Sequence, residues 1–513
     1  MDPLIRTRHQ AVDVIETYSP AEQRFNRRRK TFGLFAGPLC FLVVLLAPGP
    51  VLSAPAHRLA AILALVVAFW ITEAVPVAVT ALLGPVLAVI LGVAPASAVF
   101  APFADPIVFL FIGSFILAEA TYAHGLDRRI AYTALASPRV GASGGRLLVV
   151  YGVVNVVVSM WISNTATTAM LFPIGLSIIT HLSGQPEGAN PHFRRFAMLM
   201  MLMTAFGASL GGLATPIGTP ANLIGIGMLR TLAGSRVGFL SWMVIGVPLT
   251  VVLFAVLAAW FWATGGRRLT LSAAGIQMMR DELKRLGPLS QGERNVMLAF
   301  GMAITLWLLP GVLGLLGLTN TTFARVYQAA VPEPVAAMVG AMLLFVLPVD
   351  WRGRRFTMSW EEAVRIDWGT VLLFGGGLAL GSLAFSTGLA DVLGRRVASW
   401  VPEHSSLVLT GLFTGLAVVL SEVTSNTASA SMIVPVAIAV AEAAGVRPVE
   451  PAMGAVLGAS VGFVLPISTP PNAIAYSSGH VPITAMVRYG LALDLVAFLA
   501  ITVLVWTVVP HLL

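Results

Sequence analysis

Charge is what this 513-residue chain has least of: Asp, Glu, Lys and Arg make up 11% of it, against 57% hydrophobic residues. A soluble protein carries about 25% charged residues. The deficit excludes a water-bathed surface over most of the chain. Cysteine is nearly absent. Cys40 stands alone in an apolar run, so no intrachain disulfide framework exists, and the thiol reads as a small buried hydrophobe. His124 and His181 lie near segment ends without clustered partners, which argues against a metal centre. The formal charge of +8 does not indicate nucleic acid, because the arginines stand between apolar segments, where they set membrane topology. The polar first thirty or so residues do not read as a cleavable secretory signal.

What is present is a succession of apolar segments of membrane-spanning size. They fall near 32–47, 56–75, 77–93, 104–136, 146–180, 194–230, 239–263, 296–316, 333–349, 369–400, 406–442, 450–482 and 485–512. Arg27, Arg28, Arg29 and Lys30 close a cytoplasmic N-terminal segment, 1–31, before a first transmembrane helix and loop, 32–55. The longest polar interruption, 265–295, contains Arg267, Arg268, Arg280, Lys284, Arg285 and Arg294. It reads as an amphipathic cytoplasmic connector between two units, 56–264 and 296–513.

The units repeat. Phe111-Ile112-Gly113 and Gly125-Leu126 return as Phe374-Gly375-Gly376 and Gly388-Leu389, the last 263 positions later. Ser163-Asn164-Thr165-Ala166 returns 262 positions later as Ser425-Asn426-Thr427-Ala428. Thr219-Pro220-Ala221-Asn222 returns 250 positions later as Thr469-Pro470-Pro471-Asn472. One order at a nearly constant offset points to duplication. Basic loops surround Arg128, Arg129, Arg139 and Arg146, then Arg194 and Arg195, then Arg352, Arg354, Arg355 and Arg365. They share the connector's side only if 146–180 enters and leaves by one face, as a re-entrant hairpin with Ser163-Asn164-Thr165 at its tip. Its twin, 406–442, enters from the opposite face. The expected fold is an all-α polytopic protein of the cell (inner) membrane. It has about 11 transmembrane helices plus two re-entrant hairpins in two inverted repeats. Its N-terminus is cytoplasmic and its C-terminus outside. Arg395 and Arg396 fall outside, an exception to the charge rule.

Irregular backbone at membrane depth survives only when buried in protein or lining a polar cavity. Ser, Asn and Thr favour the start of a helix, where free N–H groups and a partial positive charge suit an anion. The arm before each tip ends near Ser159 or Ser421, where free carbonyls suit a cation. Proline is well placed at the first position of a helix, so the Thr-Pro pairs mark breaks in 194–230 and 450–482. Paired discontinuous helices in two inverted repeats point to a secondary-transporter site near the membrane midplane. No Lys or Arg sits in these motifs. An anion there relies on helix N-termini, hydroxyls, amides and co-bound cations. Hydroxyl and carbonyl oxygens without an excess of carboxylates suit sodium.

These motifs resemble the divalent anion/sodium symporter family, the sodium-coupled dicarboxylate, citrate and sulfate carriers. The resemblance covers roughly 56–513 and is carried by Trp161 to Met170, Ser425 to Ala428, Leu465 to Ile474 and Thr72-Glu73-Ala74-Val75-Pro76. It implies a homodimer with a scaffold domain and a transport domain that moves like an elevator. It also implies one Na+ near Ser159, Ser163, Asn164 and Gly218, a second near Ser421, Ser425, Asn426 and Ser468, and an anion between the tips, on Ser163, Asn164, Thr165, Thr219, Pro220, Ser425, Asn426, Thr427, Thr469 and Pro470. Where relatives usually place a proline directly before the asparagine of the first break, this chain has Ala221, so a changed helix start is expected there.

Glu422, inside the second hairpin, has no counterpart at Met160 and reads as either a structural hydrogen bond or a tuner of the site. Glu73, Asp105 and Glu119 read as packing or interface residues. Met198, Met200, Met201 and Met203 read as packing, and Gly375-Gly376-Gly377 as close helix contact. The reading is of a sodium-coupled importer of a divalent anion, a C4-dicarboxylate such as succinate, and not of an enzyme. A sodium-independent dicarboxylate exchanger and a sulfate or citrate carrier are the alternatives. A cation/proton antiporter is disfavoured because the breaks, Gly212 to Pro220 and Gly462 to Pro471, carry no titrating carboxylate, Glu422 lying on a hairpin.

Overall fold

The computed structural model describes residues 20–47, 52–138, 140–183, 191–265, 273–400 and 405–512. Most of the N-terminal segment, with Arg139, Arg267 and Arg268, lies outside the described residues. Helix α1 (Pro20–Leu46) starts before the apolar run at Phe32, because the Arg-rich stretch ahead of it also favours helix. It packs on α2 (Ala54–Thr72) along one side. Cys40 is therefore exposed, and not the buried residue its apolar setting suggested.

Next come α3 (Val77–Ile90), the short α4 (Ala96–Phe100), α5 (Pro106–Ala123) and α6 (Leu126–Leu135). The apolar segment 104–136 is thus two helices, not one. Gly125, at φ +70°, turns the chain between them, a conformation that costs glycine little. The first unit continues with α7 (Gly144–Ser159), α8 (Asn164–Ser183), α9 (Pro191–Gly212), α10 (Pro220–Leu232) and α11 (Phe239–Thr264). The amphipathic α12 (Ala273–Arg285) lies in the connector.

The second unit opens with α13 (Gln291–Leu315), then α14 (Thr322–Ala330) and α15 (Glu333–Val346), bent by 67° from each other. A small antiparallel ribbon, β1 (Pro348–Asp350) and β2 (Arg355–Phe356), and the short α16 (Trp360–Ala363) follow. Gly388, at φ +79°, separates α17 (Trp368–Ser386) from α18 (Leu389–Ala398), as Gly125 separates α5 from α6. The chain ends with α19 (Ser406–Val423), α20 (Asn426–Ala443), α21 (Val449–Ala459), α22 (Pro470–Ser477) and α23 (Ile483–Leu512). Among the described residues, 10 helices are long and apolar enough to cross a membrane, or up to 11 with α14 and α15 as one span.

Two faces can be told apart. On one, His124 at the end of α5 bonds the Thr357 carbonyl through Nε2 (2.7 Å), beside the ribbon and α16. This face carries the arginines around α6, α12 and the ribbon. On the other lie Asp105 at the start of α5, Arg230 at the end of α10, and Glu333, which accepts the Phe239 amide (2.6 Å). Gly376 packs directly on the Ala81 carbonyl, the close helix contact that the triple glycine suggested. Met200, Met201 and Met203 are fully buried in the core.

Asp127, on α6 at the basic face, is buried, and burial pushes its carboxyl up to about 6 from 3.8, although the Arg128 amide and charge oppose this. A raised carboxyl means that the folded state holds the proton more tightly. The stabilisation is full below about pH 4 and is lost as pH rises through about 6. Asp127→Asn is expected to leave thermal stability unchanged below about pH 4 and to raise it above about pH 6, by about 3 kcal/mol at most. Melting temperature against pH in detergent checks this.

Candidate functional site

The first tip forms where α7 stops at Ser159 and α8 starts at Asn164. The Ser163 hydroxyl accepts the Ala166 amide (3.4 Å) and so caps α8. Further from the tip, the Tyr151 hydroxyl donates to the Leu171 carbonyl (2.8 Å), so the arms run back along each other as a hairpin. At the tip, Ser159 Oγ donates to Asn164 Oδ1 (2.9 Å). The break between α9 and α10 docks on it. Thr215 Oγ1 donates to the Met160 carbonyl, and a side chain at Gly212 would overlap Asn164 Oδ1. Asn222 Nδ2 spans the break, donating to the carbonyls of Gly212 and Thr215 (both 2.9 Å).

The second unit builds the same object. Ser425 accepts the Ala428 amide (3.3 Å) and caps α20. Ser421 Oγ lies 2.8 Å from both Asn426 Oδ1 and the Ala459 carbonyl. Asn472 Nδ2 donates across the second break to the carbonyls of Gly462 and Leu465 (both 3.0 Å). The bridging asparagines were legible as parts of a repeated motif, but their role as staples was not. The offset of 250 that relates the two breaks was the signal that could have found it.

The expected change of helix start at Ala221 is not there. Helix α10 begins at Pro220 and α22 at Pro470, at matched positions, because the first proline already fixes φ. The cap differs instead. Thr469 accepts the Asn472 amide (3.4 Å), whereas Thr219 makes no such bond and keeps its hydroxyl for other partners.

Glu422 resolves into a tie. Its Oε1 accepts the Val464 amide (3.0 Å) and its Oε2 the Leu465 amide (3.1 Å), fastening the second tip to its break. Thr215 fastens the first tip in the same way. Glu422→Ala strands two part-buried amides at about 1–3 kcal/mol each. It is expected to lower the melting temperature and to cut uptake at least tenfold (about 1.4 kcal/mol). Glu422→Gln, which keeps one acceptor, should fall between, in parallel melting and uptake measurements.

Helix α10 packs against α20 and α21, and α22 packs against α8 and α9, so each break is closed by the other unit's helices. The Phe206 and Phe463 rings meet between them, 5.0 Å apart. Ser159, Asn164, Gly218, Thr219, Ser421, Ser468 and Thr469 are buried. Ser163, Thr165, Pro220, Ser425, Asn426 and Thr427 are half-buried, and Pro470 is exposed. Among the described residues no hydrogen bond joins Ser163-Asn164-Thr165 directly to Ser425-Asn426-Thr427. Each set is tied to its own break. Away from the site, Glu73 pairs with Arg29 (2.9 Å) and Asp105 with Arg230, as packing or interface roles require.

The arrangement offers two kinds of chemistry. The N-termini of α8 and α20 present amides with no helical acceptor, beside the Thr165 and Thr427 hydroxyls, which suits an anion. The breaks present oxygens. Asn222 Oδ1 and Asn472 Oδ1 are buried without a hydrogen-bond donor among the described residues. An acceptor left so costs about 1–3 kcal/mol, which a cation bound there would offset.

Residues 28–512 match the family model described as the sodium:sulfate symporter transmembrane region. The chain is 33% identical over 490 residues to the sodium-dependent dicarboxylate transporter SdcS of Staphylococcus saprophyticus, covering 94% of this chain and 92% of that one. It is 33% identical over 486 residues to SdcS of Staphylococcus aureus, covering 93% and 91%. Its fold is similar to the Alcanivorax borkumensis YdaH transporter (TM-score 0.53, 16% identity, 94% of this chain and 97% of that one). It is also similar to Neisseria gonorrhoeae MtrF (TM-score 0.51, 13% identity, 91% and 97%).

Proposed function

Because the chain belongs to the sodium:sulfate symporter transmembrane family, we propose that it couples sodium entry to the import of a divalent anion, a C4-dicarboxylate such as succinate. The observation that carries this reading is the duplicated tip: Ser159 on Asn164 at 2.9 Å, and Ser421 on Asn426 at 2.8 Å. Each docks on a break that is spanned by an asparagine whose own oxygen lacks a donor among the described residues. The names of the SdcS relatives add sodium and dicarboxylate.

In this reading one sodium ion is held by Ser159, Ser163, Asn164 and Gly218, and the other by Ser421, Ser425, Asn426 and Ser468. The anion lies between the tips, on Asn164, Thr165, Asn426 and Thr427, with Thr219, Pro220, Thr469 and Pro470 beside it. The energetics favour this arrangement. A dianion entering against 100 mV costs roughly 4.6 kcal/mol, at about 2.3 per charge, and two sodium ions cancel it.

The two units are read as inverted. The first hairpin has its base beside α6 and α12, on the basic face. The second has its base beside α18, near the start of α2, where Ser53 Oγ reaches the Thr387 carbonyl (3.4 Å). Taking the basic face as cytoplasmic puts the C-terminus outside.

Competition against labelled succinate uptake in proteoliposomes, by a panel of dianions and trianions, tests the substrate. Malate and fumarate are expected to compete far better than sulfate or citrate. The reverse order would overturn the C4-dicarboxylate assignment.

A further inference from the structure

We propose that Asp105–Arg230 and Asp367–His480 form a matched pair of latches, one on each face of the protein, and that only one is closed at a time. The proposal rests on the transporter reading above. The first latch is visible. Asp105 caps α5 by accepting the Ile107 amide (2.9 Å), and both its carboxylate oxygens meet the Arg230 guanidinium at the end of α10.

The second is found by the repeat. Asp367 lies 262 positions after Asp105, the offset that relates the two Ser-Asn-Thr tips. It caps α17 as Asp105 caps α5, accepting the Thr370 amide (3.1 Å). His480 lies 250 positions after Arg230, the offset that relates the two Thr-Pro breaks. Two different offsets, each set by other residues, thus pair an acid with a base a second time. The second pair is not joined here. Asp367 is exposed and has no ion-pair partner among the described residues. Gly479, at φ +72°, ends α22, which puts His480 in the turn beyond it.

The pairs lie on opposite faces. Asp105 and Arg230 share theirs with Glu333 and the start of α11. Asp367 follows the ribbon and α16, and Thr357 of that region holds His124 at the far end of α5. Helix α23 starts just after His480, and its Tyr489 packs on Trp260 and Phe261 at the far end of α11. In a transporter built of inverted repeats, the two units exchange conformations as access passes from one face to the other. The state reached when they exchange conformations gives the second unit the contact that the first makes now. Asp367 then meets His480, and Asp105 releases Arg230. Arg230 is 31% exposed, and a partly exposed pair adds little to either state, as suits a contact that must open every cycle.

The test uses the full chain with Cys40→Ser in proteoliposomes. One variant carries Asp105→Cys with Arg230→Cys, the other Asp367→Cys with His480→Cys, and each is treated with a bifunctional methanethiosulfonate cross-linker, which forms reducible disulfides, about as long as an arginine side chain. Both pairs are expected to cross-link. Either link should stop succinate uptake, and reductant should restore it. Conditions that speed one link should slow the other. The proposal is overturned if the 367/480 pair never links in a variant that still transports, or if both rates rise and fall together.

Arg230→Gln and His480→Gln give a second measurement, should the cysteine variants fail to assemble. They are expected to shift the half-saturating succinate concentration, measured from each side of the membrane, in opposite directions by about two- to fivefold. Equal shifts, or none, also overturn it. Absence of uptake in the Cys40→Ser parent would overturn the transporter reading itself, and the latches with it.

Discussion

Replacing Asn164 and Asn426 together by alanine is expected to cut sodium-driven succinate uptake by at least about a hundredfold. Each asparagine opens a half-helix, and alanine suits that position, so the helices should survive. What goes is Oδ1. In each tip it holds the hydroxyl of the preceding arm, Ser159 at 2.9 Å or Ser421 at 2.8 Å. It is also the oxygen proposed for both sodium and anion. Losing such a bond costs about 1–3 kcal/mol, and two losses together reach the roughly 2.8 kcal/mol of a hundredfold effect. The tips are tied to separate breaks, so the single substitutions should each cost about tenfold, and their effects should multiply. Initial uptake rates, with melting temperatures as the control for folding, check this. Uptake retained in the double variant would remove the tips from the site.

Gly212→Ala is expected to be as damaging by a purely steric route. A Cβ at Gly212 would overlap Asn164 Oδ1 and stand 2.9 Å from its Nδ2, so the tip must move. A displacement of about 1 Å in a positioned site can cost about a hundredfold. The matched Gly462→Ala is milder. Its Cβ would stand 3.0 Å from Ser421 Oγ and 3.2 Å from the Ser421 carbonyl, which a shift of a few tenths of an ångström relieves. Less than a tenfold loss is expected there. Equal losses in the two variants would mean that Gly212 acts through general packing and not through Asn164.

The tips and breaks were legible in the sequence for a physical reason. Polar residues and prolines in apolar segments need a special backbone, and duplication shows each of them twice. The helix ends at Gly125 and Gly388 were legible as repeat markers. Their consequence, that 104–136 and 369–400 each become a long helix and a short amphipathic one, was not, because hydropathy alone does not register a turn. Other features depend on contacts between residues 7 to 55 positions apart. The two amides on Glu422, the Thr215 bond to Met160 and the carbonyls bridged by Asn222 and Asn472 leave no local pattern. Cys40 failed for a related reason: an apolar neighbourhood does not say which side of a helix is packed.

Sodium dependence of uptake tests the central claim most directly. The purified protein is reconstituted into liposomes, and labelled succinate uptake is followed with an inward sodium gradient, with potassium in its place, and with or without internal succinate. The two-tip site predicts uptake that requires the sodium gradient, proceeds into vesicles empty of succinate, and falls to background in potassium. Uptake that ignores sodium and requires internal succinate would contradict it and make the protein an exchanger.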